Sequence, residues 1–189
     1  MSGVVRRRNS ETTRRAILGA AREVIRERGG GVALAEIAAA AGVSKSGLLH
    51  HFASRDALFL AVAEDIVEFT RSRMLNSIDS EDDSPGRVLR AYLRTALDAR
   101  SAREWFDPTG LWASLHSAPG VPELLSEDER WLRERFAEDG LHPQRVLVIS
   151  RAAEGLAVSS IWDDLSPEEY RLSYELLVAL TMENGPLVT

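Results

Sequence analysis

Lysine occurs once in this sequence, at Lys45, and 22 arginines carry the rest of the basic charge. It lies in the stretch GVSKSGLLHHF, residues 42–52, among Ser44, Ser46, Gly47, Leu49, His50 and His51. A compact ammonium with three rotatable donors suits either a phosphate oxygen or the O6/N7 edge of guanine. The small residues beside it let a helix tip approach a surface closely. Arg55, just beyond, offers a forked cation that matches a phosphate. Enzyme chemistry finds less support. The four histidines, His50, His51, His116 and His142, fall at no metal-ligand spacing. Cysteine is absent, which excludes disulfides and thiolate metal sites. The run Gly29-Gly30-Gly31 lacks the Gly-Lys-Ser/Thr ending of a phosphate loop, and no serine sits in a nucleophile elbow. No catalytic residue, metal or cofactor is expected, and the chain does not read as an enzyme.

Charge is distributed unevenly. The net charge is −6, which by itself argues against a polyanionic partner. Yet residues 1–56 hold ten basic side chains against five acidic ones, while the remainder holds 13 against 24. A basic head on an acidic body is expected where one end alone meets nucleic acid. A merely well-solvated set of arginine-rich helices would give the same count. No apolar run reaches the roughly 18 residues of a membrane span. The basic N-terminus has no apolar signal-peptide core. A cytoplasmic protein without a membrane partner is expected.

The elements that must position Lys45 read as helices throughout. Alanine, leucine, arginine and glutamate dominate, and no period-2 alternation is sustained. Ser10 is expected to start a first helix that ends at the glycine run. Leu34, Ile37, Ala38 and Ala41 follow i, i+3, i+4, i+7, giving a short second helix that stops at Gly42. Ser44 caps a third helix and Ser54 a long fourth. Ser84-Pro85 and Asp107-Pro108 are expected to open the fifth and sixth. Ser126 with Glu129 reads as a capping box for a seventh. Pro143 opens the eighth, and Ser166-Pro167 with Glu169 opens the ninth. The expected fold is all-α with about nine helices: a three-helix helix-turn-helix head over residues 1–56 and a helical body over 57–189.

Within the head, Gly42 permits the left-handed backbone of a sharp turn between crossed helices. Leu48 and Phe52 anchor the third helix inward. That leaves Ser44, Lys45, Ser46, Gly47, Leu49, His50 and His51 on its other faces, where a recognition helix presents residues to DNA.

These residues resemble the TetR family of bacterial transcription regulators over about residues 11–65. Ile37, Ala38, Ala41, Gly42, Val43, Ser44, Leu48, His51, Phe52 and Leu58 fall at the family's signature positions. Some positions depart from it. Ser46 stands at the common glycine, Gly47 at the common threonine or alanine, and Leu49 at the common tyrosine; Arg55 replaces the usual lysine. The tyrosine supplies a phosphate hydrogen bond that Leu49 cannot donate. Either His50 takes over part of that role or Leu49 meets a thymine methyl. The resemblance places Lys45 at the groove, on a base or a phosphate, and Arg55 reads as a phosphate clamp. Arg6, Arg7 and Arg8 either track DNA or form a solubilising tail.

For the body the resemblance implies a ligand pocket and a homodimer. Trp105, Phe106, Trp112 and His116 are candidate contacts for a small, largely apolar effector, or else core aromatics. Ile149, Ala153, Leu156, Ser160, Leu172 and Leu176 are candidate dimer contacts, or else the core of one subunit. The implied function is a ligand-responsive repressor of a palindromic double-stranded operator. Ligand-dependent activation or co-repression would leave the same sequence. A helical protein-interaction adaptor is the remaining alternative, and it would not need the basic head.

Overall fold

The computed structural model describes residues 2–98, 110–162 and 165–188, the first eight of these as backbone only. Nine helices lie among the described residues: α1 (Ser2–Arg28), α2 (Leu34–Ala40), α3 (Lys45–His51), α4 (Arg55–Asn76), α5 (Arg87–Ala96), α6 (Leu111–Leu115), α7 (Val121–Glu138), α8 (Pro143–Ile161) and α9 (Pro167–Leu180). The all-α expectation holds. Among the described residues no helix is long and apolar enough to cross a membrane.

The chain gathers into two compact units. The first comprises residues 1–67 and 108–125. Its core takes Ile17, Leu18, Ala21 and Ile25 from α1, Ile37 and Ala38 from α2 and Leu48 from α3. Leu58, Phe59, Val62 and Ile66 of α4 join them, and Leu111 and Leu115 bring α6 into the same core. The second unit comprises residues 68–107 and 126–189. Leu89, Tyr92 and Leu93 of α5 meet Phe136 of α7, Ile149, Ala153 and Leu156 of α8, and Leu177 of α9. Tyr92 and Phe136 pack edge to face with centroids 5.3 Å apart, the favoured arrangement of two ring quadrupoles.

Several helix boundaries differ from the sequence reading. Helix α1 begins at Ser2, well before Ser10. Helix α5 begins at Arg87 rather than at Pro85. Its first amides are capped from far along the chain: Asp139 Oδ2 accepts from Val88 N at 2.9 Å and from Leu89 N at 3.2 Å. Ser126 does not start a helix, because α7 already runs from Val121. That helix follows Gly120, whose φ of +89° breaks the preceding turn. The Ser166–Glu169 capping box is present, with Ser166 N donating to Glu169 at 2.9 Å and Glu169 N to Ser166 at 3.3 Å. Asp107-Pro108 lies outside the described residues.

Two buried arginines tie the second unit together. Arg90 is only 4% exposed. It donates to Asp82 (2.6 and 2.9 Å), Ser84 Oγ (2.6 Å), Pro85 O (3.1 Å) and Thr181 (3.2 Å to Oγ1). A buried guanidinium is tolerable only when its donors are placed in this way. Asp82 in turn is held down at about 2, first by the Ser84 hydroxyl and then by Arg90. Arg145 donates to Leu180 O at 2.9 Å and Gly185 O at 2.6 Å, and pairs with Glu183. It satisfies a carbonyl at the end of α9 and fastens the segment beyond it.

Candidate nucleic-acid interface

Between α2 and α3, Gly42 has φ +68°, a conformation that glycine alone adopts without strain. The turn lets α3 leave at an angle while Val43 N donates to Ala38 O at 2.9 Å. Ser44 has extended backbone, and its Oγ accepts from Gly47 N at 3.0 Å. Ser46 Oγ lies 3.0 Å from Ser44 Oγ. A Cβ on Gly47 would come within 3.2 Å of Ser44 Oγ, so glycine here leaves the cap room to close.

Helix α3 has two faces. Leu48 is fully buried, and Phe52 just after the helix is nearly so. Ser44, Lys45, Ser46, Leu49 and His50 are exposed together; Gly47 and His51 are half-buried. His50 and His51 meet edge to face with centroids 5.7 Å apart. Seven members of the sequence-predicted set thus lie on this short helix or at its cap, and the eighth, Arg55, belongs to α4. Arg14 of α1 lies over the Phe52 ring, 5.1 Å from its centroid. That contact braces α3 from below, and no local pattern announces it.

Arg55, expected on phosphate, is half-buried and turned toward the α1–α2 turn. Its Nη1 donates to Val32 O at 2.7 Å. Its guanidinium sits 4.6 Å from the Phe59 ring centroid. The same turn is held from α2. Glu36 accepts from Ala33 N at 2.9 Å and from Arg28 at 2.7 Å. The Ala33 amide, with Arg28 behind it, lowers the Glu36 carboxyl below its usual range.

Trp105 and Phe106 lie outside the described residues. Trp112 packs against the core of the first unit, and His116 is exposed at the end of α6. In the second unit an open cleft of about 570 Å³ is lined by Leu75, Ile78, Val88, Arg87, Arg135 and Asp139, among others. Of the dimer candidates, Ile149, Ala153 and Leu156 are buried in the unit's own core, the second of the two readings open for them. Ser160 is half-buried and donates to Ala157 O at 2.7 Å. Leu172 and Leu176 are 51% and 57% exposed. Leu147 (60%) and Val148 (46%) on α8 are exposed as well.

The family model for the N-terminal part of bacterial regulatory proteins of the tetR family matches residues 17–62. The model for the tetracyclin repressor-like C-terminal domain matches residues 86–182. The chain belongs to the TetR family. Members of this family are DNA-binding transcriptional regulators, not enzymes. The HTH-type transcriptional regulator RutR of Escherichia coli K12 is 31% identical over 123 residues, 65% of this TetR-family chain. The match spans 56% of that relative's length. A transcriptional regulator from Rhodococcus sp. Rha1 shares the fold with a TM-score of 0.73 at 21% identity, over 93% of this chain and 99% of that one. A TetR family regulator from Marinobacter aquaeolei VT8 does so with a TM-score of 0.66 at 19% identity, over 92% and 97%.

Proposed function

We propose that the protein is a homodimeric, sequence-specific DNA-binding regulator of transcription. Residues 1–56 serve as the DNA-binding part and residues 57–189 as the effector-binding and dimerisation part. In this reading it represses from a palindromic operator and is released by a small, largely apolar effector. The observation that carries it is the exposed end of α3, where Ser44, Lys45, Ser46, Leu49 and His50 stand opposite the buried Leu48. Small residues at the tip admit the helix into a major groove, and Lys45 brings a mobile cation to a base edge or phosphate. Two such helices in a dimer read half-sites about 34 Å apart and gain affinity from their linkage.

Release follows if the effector binds better to the protein form that fits DNA poorly. The body is the proposed site, with Trp105, Phe106, Trp112 and His116 as candidate contacts. The test is selection of genomic fragments by the purified protein at moderate salt, beside Lys45→Ala. Enrichment of one palindrome by the wild type and its loss in the variant are expected. Enrichment of nothing, at lowered salt and with cell extract added, would sink the reading.

A further inference from the structure

We infer that Arg55 is a positioning residue of the DNA-binding head, setting the α1–α2 turn rather than clamping phosphate. The inference rests on the DNA-binding reading above. The turn it holds, residues 29–33, contains three consecutive glycines, and Gly29 has φ +76°. Such a run has more backbone freedom to lose than any other sequence. Helix α2 leaves directly from this turn at Leu34, and α2 carries α3. The direction in which α3 is presented thus depends on how the turn is fixed.

Three restraints converge on it. Glu36 holds Ala33 N and Arg28 from the α2 side. Gly30 lies against Ser114 of α6 so closely that a Cβ would come within 3.1 Å of the Ser114 Cβ. Arg55 reaches in from α4 and donates to Val32 O at 2.7 Å. Its own placement is fixed, because one face of the guanidinium is covered by Phe59, which is 3% exposed. A charge-assisted bond to a carbonyl beneath an aromatic ring directs the side chain into the head. An arginine at the first turn of a helix opposes the helix dipole. The Val32 carbonyl supplies the negative end that offsets it, without calling on a phosphate.

The two roles separate by salt. Removing one protein–phosphate ion pair lowers the slope of log affinity against log salt by about one. The probe is a mixed-sequence duplex several helical turns long, titrated across a salt series against wild type, Arg55→Met, Arg55→Lys and Phe59→Leu. Arg55→Met is expected to weaken binding about tenfold, the scale of one hydrogen bond to a charged group, with the slope unchanged. Phe59→Leu removes no charge and is expected to act in the same direction. Arg55→Lys keeps a cationic donor and is expected to recover much of the loss. In the DNA-free protein, amide hydrogen exchange over residues 29–36 is expected to quicken in Arg55→Met and in Phe59→Leu. A slope that falls by about one per head in Arg55→Met would overturn the inference, since that is the signature of a phosphate contact. Unchanged exchange and unchanged affinity would overturn it equally. If the wild type shows no salt-dependent binding, the DNA-binding reading itself fails and the inference goes with it.

Discussion

Single side chains at the tip of α3 divide into those that face outward and those that build the helix. Lys45 is exposed and Ser44 is the cap, so their substitutions separate. Lys45→Ala should weaken operator binding by about 1–3 kcal/mol and leave the thermal midpoint of the protein unchanged. A gel-shift titration beside a melting curve checks both; an unaltered affinity would remove Lys45 from the interface. Ser44→Ala should destabilise the head by about 1 kcal/mol, because Gly47 N loses its acceptor. Chemical denaturation followed by helix signal measures it. The exposure of Lys45 and the cap at Ser44 were legible in the sequence, since cap and turn lie within a few residues of one another. Arg55 was legible in type but not in direction. Its partners, Val32 and Phe59, are fixed by how α1, α2 and α4 pack, and no window of sequence contains that packing.

Elements were legible wherever their start signals were local. The turn at Gly42, the caps at Ser44, Ser54 and Ser166, and the proline start of α8 all follow from adjacent residues. Helix α5 shows the opposite case. Ser84-Pro85 carries a helix-start pattern, yet Ser84 is drawn into the Arg90–Asp82 network. The cap comes instead from Asp139, 51 positions from Val88. Local pattern failed there because the acceptor is supplied by tertiary structure. Asp139→Ala should therefore cost about 1–2 kcal/mol of stability, the range of a lost helix cap. Paired denaturation curves would decide. A loss near zero in Asp139→Ala would mean that the Asp139 bonds contribute nothing net to the start of α5.

At the scale of the whole molecule two features belong to no single helix, the Asp82–Arg90 network and the outward apolar face of the body. Asp82 titrates at about 2 in the folded protein, well below the ordinary carboxylate value. A depressed carboxylate stabilises the fold at pH values above its unfolded pKa of about 4. That contribution disappears as pH falls from about 4 through about 2. Stability should drop across that window in the wild type, and the drop should shrink in Asp82→Asn; parallel acid titrations would reveal a false assignment. The apolar face makes the larger claim. Helical periodicity placed α8 and α9 correctly but not their faces, since the buried Ile149, Ala153 and Leu156 and the exposed Leu172 and Leu176 are equally apolar in sequence. Leu172 and Leu176 stand one turn apart on α9 and expose about half their surface or more, so a twofold mate has apolar area to bury there. Leu172→Glu with Leu176→Glu places charges on that face without disturbing the core, and it should shift the protein to monomer in sedimentation analysis. Linkage of two heads raises affinity by about 10²–10⁴ over one. The variant should lose that factor on a duplex with two half-sites and lose nothing on a duplex with one. A variant that still sediments as a dimer would place the interface on another surface, and loss on the single half-site would mean that the head itself had been damaged.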